Sequence, residues 1–553
     1  MRTTEPGARQ RPRRRLLLAG VLATAMVVAA CGDDDDGDGG ASQTTAAPAT
    51  TGASTGGGAS TTAAAQPDDV DPEGVLRIAL DMTSAGGLDL DPIEYDSPTE
   101  YHVHYNIYDT LLRQKEDGSY GPGLAKEARI VDPNTIEVEL QEGVKFQDGT
   151  DLDAEAVKFS IERIKDTNKV QSFRMAELSQ VASIDVVDPL NLVIRLSSPI
   201  AGSFYNLLAH NETLVVSPTA VRNGVNLNEN PVGAGPFKLV SFQREALLKL
   251  EKWDGYFQAD QVKLAGIEYV QTSAATVVTA LRSHAVDVAS LTHDAATQLQ
   301  GAGLEVRDEA SPNSVLWVSM QCSAYPELQD VRVRQALNFA TDKEAMNEAM
   351  FGGLGEPMSQ MWTSDSPYYN PDLADDYPHD PERARQLLAE AGHPELELTM
   401  ATLPGPLQRA AELLQAQWAE AGVRLSLQPL TNVIQEYYLD KKMATFPTTQ
   451  TRMWTDKITR NFAPGSTGYT CPVEDQAFKD KLMELRGYGP DDPKAVTAWQ
   501  ELSKMASDQA LGVWGSMGTV AVAWDGDRVG NPTFRPSQLG TFWPDVFNIY
   551  VKS

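Results

Sequence analysis

The chain has 553 residues, of which 42% are hydrophobic and 22% are charged, as in an ordinary globular protein. Its 46 Lys and Arg residues against 76 Asp and Glu residues give a formal net charge of −30. This acidity argues against binding to nucleic acid or to an anionic membrane surface, because both need clustered basic residues. At roughly 100–200 residues per domain, the length predicts two to four domains or lobes.

The first thirty residues have the pattern of an export signal. Basic residues at 11–15 precede the apolar stretch Leu16–Ala30, which is shorter than the about 20 residues of a membrane-spanning helix. The stretch leads into Val28-Ala29-Ala30-Cys31, which resembles the bacterial lipobox, where the cysteine is lipidated. We therefore predict a signal peptide at 1–30 and lipidation of Cys31, with a plain signal peptide as the alternative. Arg13-Arg14 fits twin-arginine export, and Sec export is equally compatible.

Residues 31–74 are predicted to form a disordered tether behind the lipid. Apart from Val70, the stretch Gly32–Pro72 contains only Gly, Ala, Ser, Thr, Asp, Gln and Pro, and it cannot bury enough apolar area to offset the entropy of ordering. Because six Arg and one Glu lie in 1–30, the rest of the chain has 40 basic and 75 acidic residues and a net charge of −35. We therefore expect an exported protein that is held at the outer face of the cell membrane by lipid and not by charge.

Apolar alternation and helix-capping residues predict a mixed α/β body after the tether. Strands are predicted at Leu76–Leu80, Thr135–Leu140 and Asn191–Leu196, and from Val423 onward. Helices are predicted after the capping residue Asp153, from Asp380-Pro381 to Gly392, and at Leu407–Ala421. No internal repeat is visible in this succession of elements.

Two cysteines remain if Cys31 is lipidated. An even pair in an oxidising compartment predicts a disulfide between Cys322 and Cys471, and two unpaired buried thiols are the alternative. The sequence has no CxxC motif and no Cys/His cluster at zinc spacing, so we predict neither a metal nor a cofactor.

Six segments in a fixed order carry a more specific signal. They are Leu88–Pro92, Ile107–Ala125, Glu142–Arg163, Val232–Leu239 with Trp253 and Tyr256 beyond it, Asp330–Asp342, and Tyr369–Gly392. Each has a structural explanation of its own; Gly233, Gly235 and Pro236, for example, shape a turn before a strand. Together, behind a lipobox, they resemble the extracytoplasmic solute-binding proteins of family 5, which serve ABC importers of peptides, nickel and related solutes.

This resemblance implies an α/β fold of the periplasmic-binding-protein type II, with two lobes joined by crossing strands and an extra subdomain in the first lobe. We place lobe I at 75–117, 232–315 and 523–553, the extra subdomain at 118–231, and lobe II at 316–522. The resemblance further implies a monomer that encloses its solute between the lobes by hinge closure and docks on an ABC permease in the membrane. No chemistry on the solute is implied, so the chain is not expected to be an enzyme.

The resemblance also implies candidate ligand contacts in both lobes. Tyr101, His102 and Val103 correspond to one wall, immediately before a helix expected at Ile107–Leu112. Arg452, Met453, Trp454 and Asp456 correspond to the opposite wall, where relatives use an Asp for a peptide amino group. Trp454-Thr-Asp456 departs from the family spacing Trp-x-x-Asp, and Arg452 offers a carboxylate a bidentate partner instead. Trp317 is a further aromatic candidate, and the alternative for every one of these residues is an ordinary core or surface position.

Three other functions stay open at this point. An exported peptidase or glycosidase is one, although neither an HExxH motif nor a GxSxG motif occurs. A protein for a metal or metal chelate is the second, because His102 and His104 would lie on one face of a strand. The third is a binding lipoprotein that serves a sensor or adhesion role instead of transport.

Overall fold

The computed structural model describes residues 69–83, 88–93, 98–115, 119–165, 175–299, 301–450, 462, 470–471, 475–490, 492–536 and 542–553. The predicted signal peptide, Cys31 and most of the predicted tether lie outside these ranges, as do Arg452, Met453, Trp454 and Asp456. Within the ranges, no helix combines the length and the apolar character needed to cross a bilayer.

Helices and strands alternate along the described chain. The helices are α1 (Pro98–Ile107), α2 (Ala154–Lys165), α3 (Met175–Leu178), α4 (Ala201–Leu207), α5 (Pro218–Arg222), α6 (Val277–Arg282), α7 (His293–Thr297), α8 (Val331–Phe339), α9 (Lys343–Phe351), α10 (Pro381–Glu390), α11 (Pro406–Glu420), α12 (Gln476–Gly487) and α13 (Pro493–Asp508). The strands are β1 (Val75–Leu80), β2 (Leu112–Gln114), β3 (Tyr120–Pro122), β4 (Ala125–Asp132), β5 (Thr135–Leu140), β6 (Val181–Asp188), β7 (Asn191–Leu196), β8 (Phe237–Gln243), β9 (Leu247–Lys252), β10 (Gly266–Gln271), β11 (Val288–Leu291), β12 (Glu305–Met320), β13 (Glu356–Pro357), β14 (Leu396–Thr402), β15 (Val423–Pro429), β16 (Thr445–Gln450), β17 (Val513–Trp524), β18 (Val529–Gly530), β19 (Phe534–Pro536), β20 (Phe542–Pro544) and β21 (Tyr550–Val551).

The strands and helices predicted from apolar alternation and capping residues are confirmed. Strands β5 and β7 coincide with the predicted stretches, and β1 starts one residue earlier than predicted. Asp153 caps α2 because its Oδ1 accepts a hydrogen bond from the N–H of Ala156 at 2.9 Å. Asp380 caps α10 in the same way, accepting from the N–H of Arg383 at 2.8 Å. Helix caps and apolar alternation depend only on residues close in sequence, so they are enough to predict where these elements lie.

A large mixed sheet joins the two halves of the body. Its order is β15-β14-β16-β12-β17-β11-β1-β10-β9-β8, and β13 pairs with β17. The long strands β12 and β17 run antiparallel to each other; one end of the pair lies against β11 and the other against β16. The lobe boundaries predicted at 315/316 and 522/523 fall inside these two strands. They are the crossing strands that the resemblance implies.

A separate antiparallel sheet of order β4-β5-β7-β6 lies in the 118–231 region. It has its own core, in which Phe146 and Phe204 are fully buried. A second core includes Leu76, Tyr108 and Phe237, and a third surrounds Trp418 and Trp499 in the 316–522 region. The first two cores share residues across the predicted boundaries, since Leu111 lies in the core of Phe146 and Leu214 lies in the core of Leu76.

Several of the motif segments meet and build the scaffold. The side-chain amide of Gln147 donates to the carbonyl oxygens of Ile107, Gly235 and Phe237 at 3.0, 3.3 and 2.8 Å. A Cβ on Gly235 would lie 2.6 Å from the carbonyl carbon of Ile107, so only glycine fits there. Elsewhere Arg163 binds Asp91 bidentately at 2.6 and 2.8 Å. These motif residues hold elements together and do not present a ligand site.

Candidate functional site

A small cavity of about 100 Å³ lies beside α1 and the C-terminal segment. Its lining includes His102 and Asn106 from α1, Arg113 from β2, Tyr269 from β10, and Arg535 and Asp545 from the C-terminal segment. His102 and Asn106 share one side of α1 because residues four apart on a helix are neighbours, and Asp109 joins them from the turn after the helix. All the described residues of this lining belong to the predicted lobe I and its extra subdomain.

An ion pair forms the floor of the cavity. The Arg113 guanidinium contacts the Asp109 carboxylate through Nη2 at 2.5 Å and Nε at 3.2 Å. Tyr256 OH donates to the same carboxylate at 2.7 Å and also contacts Arg113. Burial alone would lower the pKa of Arg113, but the charge of Asp109 outweighs it, so this pKa is raised. Burial raises the pKa of Tyr256, and the Asp109 charge adds to that effect.

The backbone at Asp109 adopts an unusual conformation that serves this pair. Helix α1 ends at Ile107, and Asp109 has φ of +61°, in the left-handed region that Asp tolerates better than most residues. The turn directs the carboxylate toward Arg113 four residues later. Asp109 also accepts from the N–H of Thr110 at 2.8 Å.

The hydrogen-bonding capacity left in the cavity is mainly for donation. Asp109 accepts four hydrogen bonds, which fills the usual capacity of a carboxylate. Asp545 accepts from Arg535 at 2.6 Å, from the N–H of Phe547 at 3.3 Å and from Asn548 at 2.5 Å. Arg535 carries five N–H donors and pairs with Asp545 through Nη2. The cavity therefore suits an acceptor group such as a carboxylate or carbonyl oxygen.

His102 lines this cavity, whereas the other candidates that the structure describes lie in cores. Burial lowers the pKa of His102 well below its usual range, so the imidazole is neutral. Tyr101 is 7% exposed and Val103 is fully buried. Trp317 is 3% exposed and stacks on Trp514 with ring centroids 5.4 Å apart. These three side chains lie in three different hydrophobic cores.

Two details of the sequence interpretation are wrong. Tyr101, His102 and Val103 lie within α1, not before a helix at Ile107–Leu112, because the helix begins at Pro98 and ends at Ile107. His102 and His104 are therefore on a helix and not on one face of a strand, and residues two apart on a helix point to different sides.

His104 is engaged elsewhere. Its Nε2 lies 2.8 Å from the carbonyl oxygen of Asp89, and its Nδ1 lies 3.3 Å from Nδ2 of Asn211. Among the described residues, no group of three His, Cys, Asp or Glu side chains is arranged to hold a metal ion. The pair of histidines therefore gives no support to a metal site.

Buried His104 predicts a loss of stability in acid. Burial lowers its pKa to about 4, against 6.5 for the unfolded chain, and contacts with Asp89 and Asp91 only partly oppose the shift. Between these values the unfolded state binds more protons, so the free energy of unfolding falls as the pH drops from 6.5 toward 4, by about 3 kcal/mol for this group. In the variant His104→Asn the free energy of unfolding should fall less between pH 7 and pH 4. Urea unfolding at pH 7, 6, 5 and 4 measures this. Buried His102 and carboxyl groups of lowered pKa, such as Asp148 and Asp330, supply the remaining slope. An unaltered slope in the variant would contradict the assignment.

The chain segment predicted to carry the opposite wall precedes a disulfide. Cys322 follows β12 and is bonded to Cys471, with Cα atoms 4.6 Å apart, and Ser319 Oγ lies 3.1 Å from Thr470 Oγ1. Arg452, Met453, Trp454 and Asp456 lie between β16 and Cys471 in the chain, outside the described residues. The disulfide thus fixes the end of the segment that carries them.

Sequence reasoning missed most of the cavity. Asp109 and Tyr256 belong to motif segments, but nothing in their spacing marks them as an ion-pair cluster with Arg113. Arg535 and Asp545 come from a C-terminal segment with no motif, and they reach the cavity only through tertiary folding.

Comparison with known proteins adds a family and a fold. The family model described as "Bacterial extracellular solute-binding proteins, family 5 Middle" matches residues 119–469. Glutathione-binding protein GsiB of Salmonella paratyphi A is 30% identical over 350 residues, which cover 61% of this chain and 66% of that protein. GsiB of Escherichia coli K12 is 29% identical over 350 residues, which again cover 61% of this chain and 66% of that protein. The match thus spans slightly less than two thirds of these relatives.

Solved structures extend the likeness over most of the chain. AgaA of A. tumefaciens in complex with agropinic acid has a TM-score of 0.72 at 24% identity and covers 87% of this chain and 99% of its own. DppA of Helicobacter pylori in complex with the peptide STSA has a TM-score of 0.72 at 19% identity and covers 88% and 99%. At these identities the likeness shows the fold alone, and it confirms the predicted two-lobed periplasmic-binding-protein type II class.

Proposed function

The chain belongs to family 5 of the bacterial extracellular solute-binding proteins, and on this basis we propose that it captures a solute between two lobes and delivers it to the permease of an ABC importer. The single observation that carries the proposal is the family match over residues 119–469. The crossing strands β12 and β17 support it, because they join the two sides of a closing cleft. The solute is carried and not converted, so the protein is not an enzyme.

The size of the cavity bears on the solute. At about 100 Å³ it is well below the roughly 300–1,000 Å³ of sites that enclose a drug-sized ligand. The cavity takes at most one acceptor group of the solute, and the rest of the solute occupies the space between the lobes. An oligopeptide or a solute of similar size fits this description. The names of GsiB and of the DppA complex make glutathione and short peptides the first solutes to test.

The residues at the second wall stay those of the sequence hypothesis. Trp454 stacks on the solute, Asp456 binds an amino group, and Arg452 and Met453 complete the wall. From the first lobe, His102 and Arg535 face the solute, whereas Tyr101, Val103 and Trp317 hold the walls in place. The protein acts as an exported monomer, anchored by lipid at Cys31 near its permease.

Calorimetric titration of glutathione and of short peptides into the purified protein tests this function. We expect saturable binding of one solute class and recovery of the solute with its mass unchanged. Hydrolysis of the added peptide, with no solute that binds or stabilises the protein, would favour an exported hydrolase instead.

Truncation of the second wall should weaken binding. Trp454→Ala should lower solute affinity about 10–30-fold, the effect of removing an aromatic anchor from a desolvated contact. Asp456→Asn should discriminate less between peptides with free and acetylated amino groups. Titration calorimetry measures both, and Trp253→Ala, on the β8–β9 side of lobe I, is the matched control. Unchanged affinity in both variants would remove Trp454 and Asp456 from the site.

A further inference from the structure

The extra subdomain and lobe II touch at a second place, away from the crossing strands. The contact is made by residues 486–489, at the end of α12 and just beyond it. Arg486 Nη2 lies 3.2 Å from Oε1 of Glu177 on α3, and these side chains are 15% and 1% exposed. The two residues are 309 positions apart in sequence, so the ion pair joins regions that the chain itself connects only through distant strands.

Glycines bring the two backbones into direct contact at this place. A Cβ on Gly202, in the first turn of α4, would collide with the carbonyl oxygen of Tyr488. A Cβ on Gly489 would lie 2.9 Å from Cδ1 of Ile130 on β4, and one on Gly487 would lie 3.3 Å from Cβ of Pro133. The 486–489 segment therefore fits the subdomain surface closely, with glycine on both sides of the contact.

The position of the contact gives it a consequence for solute exchange. If the lobes close over a solute, as in the proposed function on which this step rests, then lobe II must separate from lobe I to release it. A noncovalent contact between the extra subdomain of lobe I and lobe II can bias closure only if it is made in the closed state and lost in the open one. A close backbone fit with a largely buried ion pair suits this role, because a small separation of the two surfaces abolishes it.

We propose that docking of the 486–489 segment on Glu177 and Gly202 is a closure latch: it stabilises the closed conformation and slows release of the solute without touching it. Weakening the latch raises the open population, and the apparent affinity falls with the fraction of the closed state. The residues of the latch are therefore positioning residues for binding and not ligand contacts.

Gly202→Ala is the sharpest test, because alanine suits a helix better than glycine and only the contact with Tyr488 opposes it. Arg486→Gln is the second variant, and it removes the charge without the added methyl group. Arg195→Gln is the matched control, since it removes the exposed pair with Asp185 in the same subdomain. Small-angle X-ray scattering of the full chain without added solute should show a larger radius of gyration for both latch variants and no change for the control.

Kinetics with glutathione and the peptide Ser-Thr-Ser-Ala as probes complete the test. For a probe that the wild type binds, both latch variants should raise the dissociation rate about tenfold and leave the association rate within about twofold. Unchanged scattering and dissociation in two folded variants would overturn the latch, as would a lowered unfolding midpoint with unchanged scattering, which marks a purely structural contact. If the wild type binds neither probe, the proposed peptide class fails while the scattering still decides the latch.

Discussion

Reduction of the disulfide between Cys322 and Cys471 should lower the free energy of unfolding by about 2–5 kcal/mol. The bond spans a sequence separation of 149 residues, and a cross-link over so long a loop removes much of the conformational entropy of the unfolded chain. Guanidinium unfolding with and without reductant measures the loss. Solute affinity should fall as well, because the bond anchors the end of the segment that carries Arg452 to Asp456.

The double variant Cys322→Ser with Cys471→Ser is the control for this experiment. It should unfold at the midpoint of the reduced wild type and should not respond to reductant. A wild-type protein that yields two free thiols on mass spectrometry under non-reducing conditions would show that the bond does not form. Equal stability of oxidised and reduced protein would show that it forms without contributing.

Asp287→Asn should destabilise the protein by about 3 kcal/mol. The side chain of Asp287 is fully buried just before β11. Its Oδ1 forms ion pairs with Nη2 of Arg77 at 2.5 Å and with Nε of Arg528 at 2.9 Å. Arg77 donates hydrogen bonds to the Asp287 carboxylate, and this interaction raises the pKa of Arg77. Because a guanidinium group does not lose its proton in proteins, the positive charge that Asp287 balances remains when the carboxylate becomes an amide. Breaking a buried ion pair from one side leaves its partners without compensation for their lost solvation. Partial exposure of both arginines keeps the expected cost at the lower end for such pairs.

Asp185→Asn is the matched control for Asp287→Asn. Asp185 pairs with Arg195 at 2.8 Å, but both side chains are about half exposed, so the expected loss is much smaller than for Asp287→Asn. Urea unfolding of both variants compares them directly. Equal losses would contradict the view that Asp287 ties β1 and the C-terminal segment to the end of the crossing strand β17.

The elements that sequence reasoning predicted well are those with short-range causes. Strand β5 alternates over six residues, and Asp153 and Asp380 cap helices within three residues of themselves. The family motifs predicted the fold class for a related reason. They contain residues that join elements of the scaffold, such as Gln147 and Gly235. The motifs therefore predict the fold and do not identify the solute.

The candidate site was harder to predict because its parts are distant in sequence. Tyr101 and Val103 are adjacent to His102, yet the rotation of α1 buries them in two different cores and leaves His102 at the cavity. Arg535 meets Asp109 and Arg113 only after the C-terminal segment has returned to lobe I. The latch has the same origin, since Gly202 is an ordinary helix residue until Tyr488 arrives 286 positions later.

The central claim is that the protein encloses a solute between its lobes and leaves it chemically intact. Mass spectrometry of the small molecules released when the purified protein is denatured tests this claim most directly. The account predicts one class of peptide-sized solute, at close to one molecule per chain and with its covalent structure intact. Release of cleavage products alone, or of no solute from a protein that no peptide stabilises, would contradict it.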